Sequence, residues 1–169
     1  MTQPYPAIFP APGPNMADCF PPLSINPALT LAPRCAPCIH AAFQYVYDNP
    51  LFAIAAADGR GELIAIDCAV VQPTLIEVIQ TRPHVVRGNH RHRRCSEVLT
   101  VNHGLLDIYL LCDCPGKHLF SRRMESGASV HLPPGTAHAI YTVSETAITS
   151  VFMDGDPRVD RERIEMIAL

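Results

Sequence analysis

From Leu63 onward the chain alternates apolar and polar residues in short runs, each cut by glycine, proline or a charged pair. Leu63 to Val71 reads as a buried strand, Pro73 ends it, and Leu75 to Gln80 resumes the pattern. Arg82 to His92 and Glu97 to His103 follow as two further strands. In Leu105 to Cys112, Leu106, Ile108 and Leu110 alternate against Asp107 and Tyr109, the period-two signature of a strand with one buried face. His118 to Met124, Ser129 to Leu132, Ala139 to Val143 and Ala147 to Met153 complete the series. Asp58-Gly59-Arg60-Gly61 is a turn by its residue types. Ala41 to Val46 suits either a strand or a helical turn. Only Arg158 to Met166, with Val159, Arg163 and Met166 in register, is spaced for a short helix. Short strands at regular spacing with Gly/Pro turns predict an all-β sandwich or barrel.

Proline use divides the chain. Ten of the 17 prolines lie in the first 40 residues, where fixed φ angles and missing donors exclude a continuous helix or a central strand. Residues 1–45 are therefore expected to form an extended arm, docked through Phe9, Phe20, Leu23, Ile25, Leu29 and Leu31. Residues 46–157 carry the strands and 158–169 the short C-terminal helix. The seven cysteines are odd in number and irregularly placed, and Cys35-Ala36-Pro37-Cys38 has no second pair to complete a zinc site. They read as reduced, structural thiols.

A net charge of −3 and 48% hydrophobic residues argue against a nucleic-acid binder and against a disordered chain. No apolar run reaches the roughly 20 residues of a membrane span. The N-terminus lacks the basic start and apolar core of a signal peptide, so a cytoplasmic protein with a small-molecule substrate is expected.

The chemistry concentrates in His90-Arg91-His92-Arg93-Arg94-Cys95-Ser96-Glu97. On a strand, His90 and His92 leave the same face, and Glu97 adds a carboxylate after a bend. A second stretch, Gly127 to His138, offers another imidazole beyond a Pro-Gly turn. Imidazoles and a carboxylate converging from adjacent strands suit a divalent transition metal. These stretches resemble the two cupin motifs. His90, His92, Glu97 and Gly104 match H-x-H-x4-E-x6-G, and Gly127, Pro133, Gly135 and His138 match G-x5-P-x-G-x2-H. The resemblance spans about residues 60 to 155. Two positions depart from it: His84 replaces a glycine six residues before the first motif histidine, and Thr142 replaces an asparagine that ends the second motif.

The resemblance implies a double-stranded β-helix, the cupin jelly-roll barrel. It also implies His90, His92, Glu97 and His138 as ligands of one divalent ion (Fe, Mn, Zn, Ni or Cu) with two coordination positions left open. Arg87-Gly88-Asn89-His90-Arg91-His92 is similar to the opening of cupins that act on nucleotide sugars, and Arg87 is the expected substrate contact. The foremost expectation is a metal-dependent isomerase or epimerase of a small anionic or carbonyl substrate, in particular a sugar nucleotide. His103 or Tyr109 is expected to move the proton. The alternatives are an Fe(II) or Mn(II) oxygenase or other natural-product enzyme, and a non-catalytic small-molecule-binding barrel. Cupins commonly pair through their sheets, which implies a homodimer.

Overall fold

A computed structural model describes the backbone of residues 23–31, 52–58, 61–66, 71–112 and 116–169; for 52–58 and 61–66 only the backbone is described. Fourteen strands and one helical turn account for most of these residues. In chain order the strands are β1 (Ser24–Ile25), β2 (Thr30–Leu31), β3 (Phe52–Asp58), β4 (Gly61–Ile66), β5 (Leu75–Thr81), β6 (Val86–His92) and β7 (Glu97–His103). They continue with β8 (Leu105–Leu111), β9 (His118–Glu125), β10 (Ser129–Leu132), β11 (Ala137–Thr142) and β12 (Ala147–Met153). Helix α1 (Pro157–Asp160), β13 (Arg161–Arg163) and β14 (Ile167–Ala168) end the chain.

Two sheets face each other: a four-stranded one in the order β10-β7-β12-β5, and a six-stranded one in the order β13-β6-β11-β8-β9-β2. Side chains that alternate inward from both sheets fill the space between them. Leu99, Val101, Leu106, Ile108, Leu110, Met124, Val130, Leu132, Val151 and Met153 form that core. The all-β barrel expected from the pattern is therefore present. β7, β10 and β12 have the boundaries read from the sequence, and β5, β8 and β9 differ by one residue. β3, an alanine-rich strand, was not foreseen; it pairs antiparallel with β4, and residues 59 and 60 of the expected turn lie outside the described residues. Ala41 to Val46, Phe9, Phe20 and the Cys35–Cys38 pair lie outside the described residues.

Around the six-stranded sheet a second apolar cluster forms on its outer face. Tyr109, Leu119, Ala137, Ala139, Met166 and Ile167 are buried there under Leu23, Ile25 and Leu29 of the arm. β1 pairs with β14, and β2 runs parallel to β9. Of the arm's described apolar residues, Leu23, Ile25 and Leu29 pack on this cluster, whereas Leu31 is exposed.

The C-terminal helix read from Arg158 to Met166 forms only in its first turn, Pro157–Asp160. Asp156 caps the Arg158 amide, Pro157 supplies the fixed φ of a first turn, and the helix stops after four residues. Val159 is 84% exposed while Met166 is fully buried, so residues at helical spacing do not share a face. The segment instead pairs with β6 in the register Arg161↔His92, Glu162↔Arg91 and Arg163↔His90. Satisfying the free edge of β6 outweighs the weak local preference for helix.

Candidate active site

Strands β6, β7 and β11 bring His90, His92, Glu97 and His138 to one place inside the barrel. The donor atoms of His90, His92 and Glu97 all lie within 4.8 Å of one another. His138 joins from β11, directly opposite His90 in the register. Its Nε2 is 3.3 Å from Glu97 Oε2, and its ring centroid is 4.6 Å from that of His90. His92, Glu97 and His138 are buried, whereas His90 is half-buried and faces a cavity of about 220 Å³.

The local chain explains this convergence. Gly88 and Asn89 both adopt positive φ, at 80° and 55°. The pairing of β6 with β11 slips between His138 and Ala139 at the same level, which marks a bulge. Without it, period two would place Val86 on the histidine face and Arg87 on the other. With it, Arg87 and Gly88 both line the cavity, and Val86 packs in the outer cluster. A Cβ on Gly88 would lie 2.8 Å from the His138 carbonyl oxygen, so only glycine allows this approach. Asn89 turns outward and holds the C-terminal segment: its side chain donates to the Ile167 carbonyl at 2.8 Å and accepts from the Met166 and Ile167 amides. Gly104, at φ 92°, ends β7 where a Cβ would strike the Thr146 carbonyl.

Residues 93–96 form the bend between His92 and Glu97, and two carboxylates bind its amides. Asp160 accepts from Arg93, Arg94 and Cys95 at 3.1, 2.7 and 2.8 Å, and Asp154 accepts from Ser96 at 2.7 Å. Glu162 takes Nε of both Arg91 and Arg93. The arginines that alternate with the histidines are therefore spent on the outside of the barrel. Cys95 is buried, and burial pushes its thiol up, which keeps it protonated and inert.

The donor set asks for a cation. The Thr136 carbonyl only accepts, so Nδ1 of His138 carries the proton across the 3.2 Å bond between them. The Nε2 lone pair then faces a carboxylate oxygen of Glu97. Nε2 of His92 lies 3.1 Å from the other Glu97 oxygen, but off the line of a hydrogen bond, and neither of its buried ring nitrogens has a partner. Lone pairs turned toward one another at this depth are unfavourable unless something positive lies among them. Imidazolium is a poor answer. Burial, then the neighbouring His138 and Arg161, bring the pKa of His90 down to about 4, and burial lowers that of His138 as well. Burial would raise the Glu97 carboxyl, but the close approach of His92, His138 and His90 outweighs it and holds Glu97 below its ordinary value. One carboxylate and three neutral imidazoles are the form that binds a transition metal.

The cavity opens along the seam between β5 and β6, which are not paired to each other. Glu77, Ile79 and Thr81 of β5 form one lip, and Arg87, Gly88 and His90 of β6 the other. Leu99, Leu106, Ile140, Val151 and Met153 make an apolar floor, and Pro157 and Arg161 also belong to the lining. Arg87 donates through Nε to Thr81 Oγ1 at 3.0 Å.

Two expected site residues are not in this cavity. His103 has the parity of Glu97 but sits at the exposed end of β7, away from the lining. Tyr109 is buried in the outer cluster, because Leu106, Ile108 and Leu110 take the inward positions of β8. Neither residue is placed to move a proton in the cavity. Of the remaining histidines, His131 bonds Ser96 Oγ at 2.8 Å and His84 Nδ1 bonds the Tyr141 hydroxyl at 2.6 Å. Sequence reasoning missed Glu77, Arg161 and Asp160, which come from β5 and from a tail read as helix.

A family model for cupins matches residues 74–162, more than half of the chain. The chain belongs to the cupin family. No curated protein matches it. Among solved structures, this cupin is similar to the sugar 3,4-ketoisomerase QdtA from Thermoanaerobacterium thermosaccharolyticum in complex with TDP. The identity is 18%, with 66% of this chain and 83% of that one covered and a TM-score of 0.57. A 3,4-ketoisomerase from Helicobacter canadensis gives 22% identity, 66% and 86% coverage, and the same score. NovW, a 4-keto-6-deoxy sugar epimerase from Streptomyces spheroides, gives 18%, 64% of each chain, and 0.53. At these identities the likeness is one of fold.

Proposed function

We propose that this cupin is a metal-dependent enzyme that isomerises or epimerises a small anionic carbonyl substrate, with a keto-sugar nucleotide as the leading substrate class. The observation that carries the reading is the cluster of three imidazoles and one carboxylate at the wall of a cavity that Arg87 also lines. His90, His92, Glu97 and His138 would hold the ion, which as a Lewis acid would polarise the substrate carbonyl.

The rest of the chemistry falls to the lining. Isomerisation or epimerisation removes a proton from the carbon beside the carbonyl. The bonding pair moves toward the carbonyl oxygen, and a proton returns to the same or the neighbouring carbon. With Glu97 committed to the metal, Glu77 is the remaining carboxylate of the lining, and we assign it the proton in place of His103 and Tyr109. Arg87, fixed through Nε by Thr81, presents its remaining donors to an anionic group of the substrate. The apolar floor keeps water from the reacting carbon. The choice of a sugar nucleotide draws on the fold relatives, one of which binds TDP-4-keto-6-deoxyglucose.

Two measurements test the reading. Elemental analysis of protein purified without chelator or metal-affinity tag should find about one transition-metal ion per chain. Incubation with TDP-4-keto-6-deoxyglucose in D2O should place deuterium next to the carbonyl, and Glu77→Gln should suppress it. Substrate-dependent oxygen uptake with no deuterium incorporation would move the protein to the oxygenase class. Absence of metal even after reconstitution would sink the metalloenzyme reading.

A further inference from the structure

The arginines of this barrel fall into groups by what surrounds them. Arg91 and Arg93 share Glu162, Arg123 holds Asp107, Arg158 holds Asp156, and Arg163 reaches Glu165. Arg82 and Arg94 have no carboxylate partner among the described residues, but they lie off the cavity. Arg87 and Arg161 lie on it, and neither meets a carboxylate within salt-bridge distance among the described residues. Arg161 is not there by accident of a flexible tail. Its backbone is paired with His92, the residue before it caps the 93–95 amides, and the residue after it binds Arg91 and Arg93. Glu162 is engaged with Arg91 and Arg93 and Arg163 with Glu165, and of the three residues of β13 only Arg161 lines the cavity. Arg87 and Arg161 both line the one cavity, the first from β6 beside Thr81 and the second from β13 at the level of His92.

We infer that Arg161 is a substrate-binding and specificity-determining residue. It forms with Arg87 a two-point receptor for a ligand that carries at least two negative charges, as an organic diphosphate or a dicarboxylate does. A monoanion satisfies one guanidinium and leaves the other bare; a dianion engages both, and each charge-assisted contact lowers Kd roughly 10- to 100-fold. This rests on the proposed function in taking the same cavity for the substrate, and it adds the charge that the substrate must carry.

The test is calorimetric titration of the metal-loaded protein with TDP, inorganic diphosphate, succinate and acetate. TDP or succinate should bind at least 10-fold more tightly than acetate. Arg161→Ala should remove most of that preference while metal content stays that of the wild type, and Arg161→Lys should restore part of it. Succinate binding that depends on Arg161, with none for TDP, keeps the receptor and removes the sugar-nucleotide reading. TDP or succinate binding unchanged in Arg161→Ala but weakened in Arg87→Ala overturns the inference and leaves the proposed function standing. Equal affinity for acetate and the dianions in the wild type also overturns it.

Discussion

Strands β6 and β8 flank the same partner, β11, and each is seven residues long, yet only β8 keeps period two from end to end. In β8, Leu106, Ile108 and Leu110 enter the barrel core, Tyr109 and Leu111 pack outside, and Asp107 meets Arg123. In β6 the alternation breaks at Gly88 and Asn89, and Arg87, Gly88 and His90 line the cavity together. The strand that stabilises the barrel is regular, and the strand that carries the chemistry is bent out of register. A regular strand commits every second side chain to packing and leaves no polar group facing a void. The bulge puts an arginine and an imidazole on one wall of a space that packing alone would have filled.

The largest expected effect separates the two strands outright. His92→Ala should remove stoichiometric metal, as measured by elemental analysis, and leave the barrel folded, because His92 stands outside the apolar core. Leu110→Ala in β8 should do the reverse. It should lose about 2–5 kcal/mol of unfolding free energy through the cavity it creates, with metal still bound in the folded fraction. If His92→Ala keeps full metal, the four-ligand site is wrong.

Next in size is the bulge itself. Gly88→Ala forces a Cβ toward the His138 carbonyl and Ala139 Cα, and it asks a non-glycine residue to hold a φ of 80°. A cost of about 2–3 kcal/mol in chemical denaturation is expected. Metal affinity and anion binding should fall together, since His138 and Arg87 both depend on that crossing. A stability loss with both bindings intact would show that the bulge shapes the strand and not the site.

How much of this was legible in the sequence follows from the same contrast. The core of β7, β8, β10 and β12 could be read from alternation, because Leu99, Val101, Leu106, Ile108, Leu110, Val130, Leu132, Val151 and Met153 recur at every second position. His90, His92, Glu97 and His138 could be read from spacing, because they lie on strands whose ends are marked by Gly104 and the Pro133–Gly135 turn. Tyr109 and His103 could not: one faces outward by parity, and the other keeps the right parity but sits at the exposed end of its strand. Arg161 and Asp160 were hidden for another reason. Residues 158–166 carry helical spacing, and only the open edge of β6, formed some 70 residues earlier, stops the helix at Asp160 and turns Arg161–Arg163 into a strand.

The tail can be weakened without touching either wall of the cavity. Asp160 would be raised by burial, but the amides of Cys95, Arg94 and Arg93 hold its carboxyl below the ordinary aspartate value. A group whose folded pKa is depressed contributes stability above its unfolded pKa and loses it as the pH falls through the folded one. In the metal-free protein, Asp160→Asn should therefore be less stable than wild type at neutral pH. The two urea-denaturation curves should converge below the ordinary aspartate range. A difference that stays constant across that range would mean that the side chain's charge has no part in holding the bend between His92 and Glu97.

The smallest effect concerns a place where the chain departs from its family. His84 stands where cupins often carry glycine, and its φ of 55° is the left-handed conformation that glycine adopts without strain. What offsets the strain is the 2.6 Å bond from its ring to Tyr141, on the strand that carries His138. Relief of backbone strain and loss of that bond are each worth about 1 kcal/mol, so His84→Gly should change stability by less than either alone. His84→Ala gains neither the glycine backbone nor the bond, and should be destabilised by about 1 kcal/mol. The decisive comparison is a double-mutant cycle with Tyr141→Phe. Removing the hydroxyl should cost stability in the wild type and nothing in His84→Gly. An equal cost in both backgrounds would mean that Tyr141 supports β11 through other contacts, and that His84 is held left-handed by the turn alone.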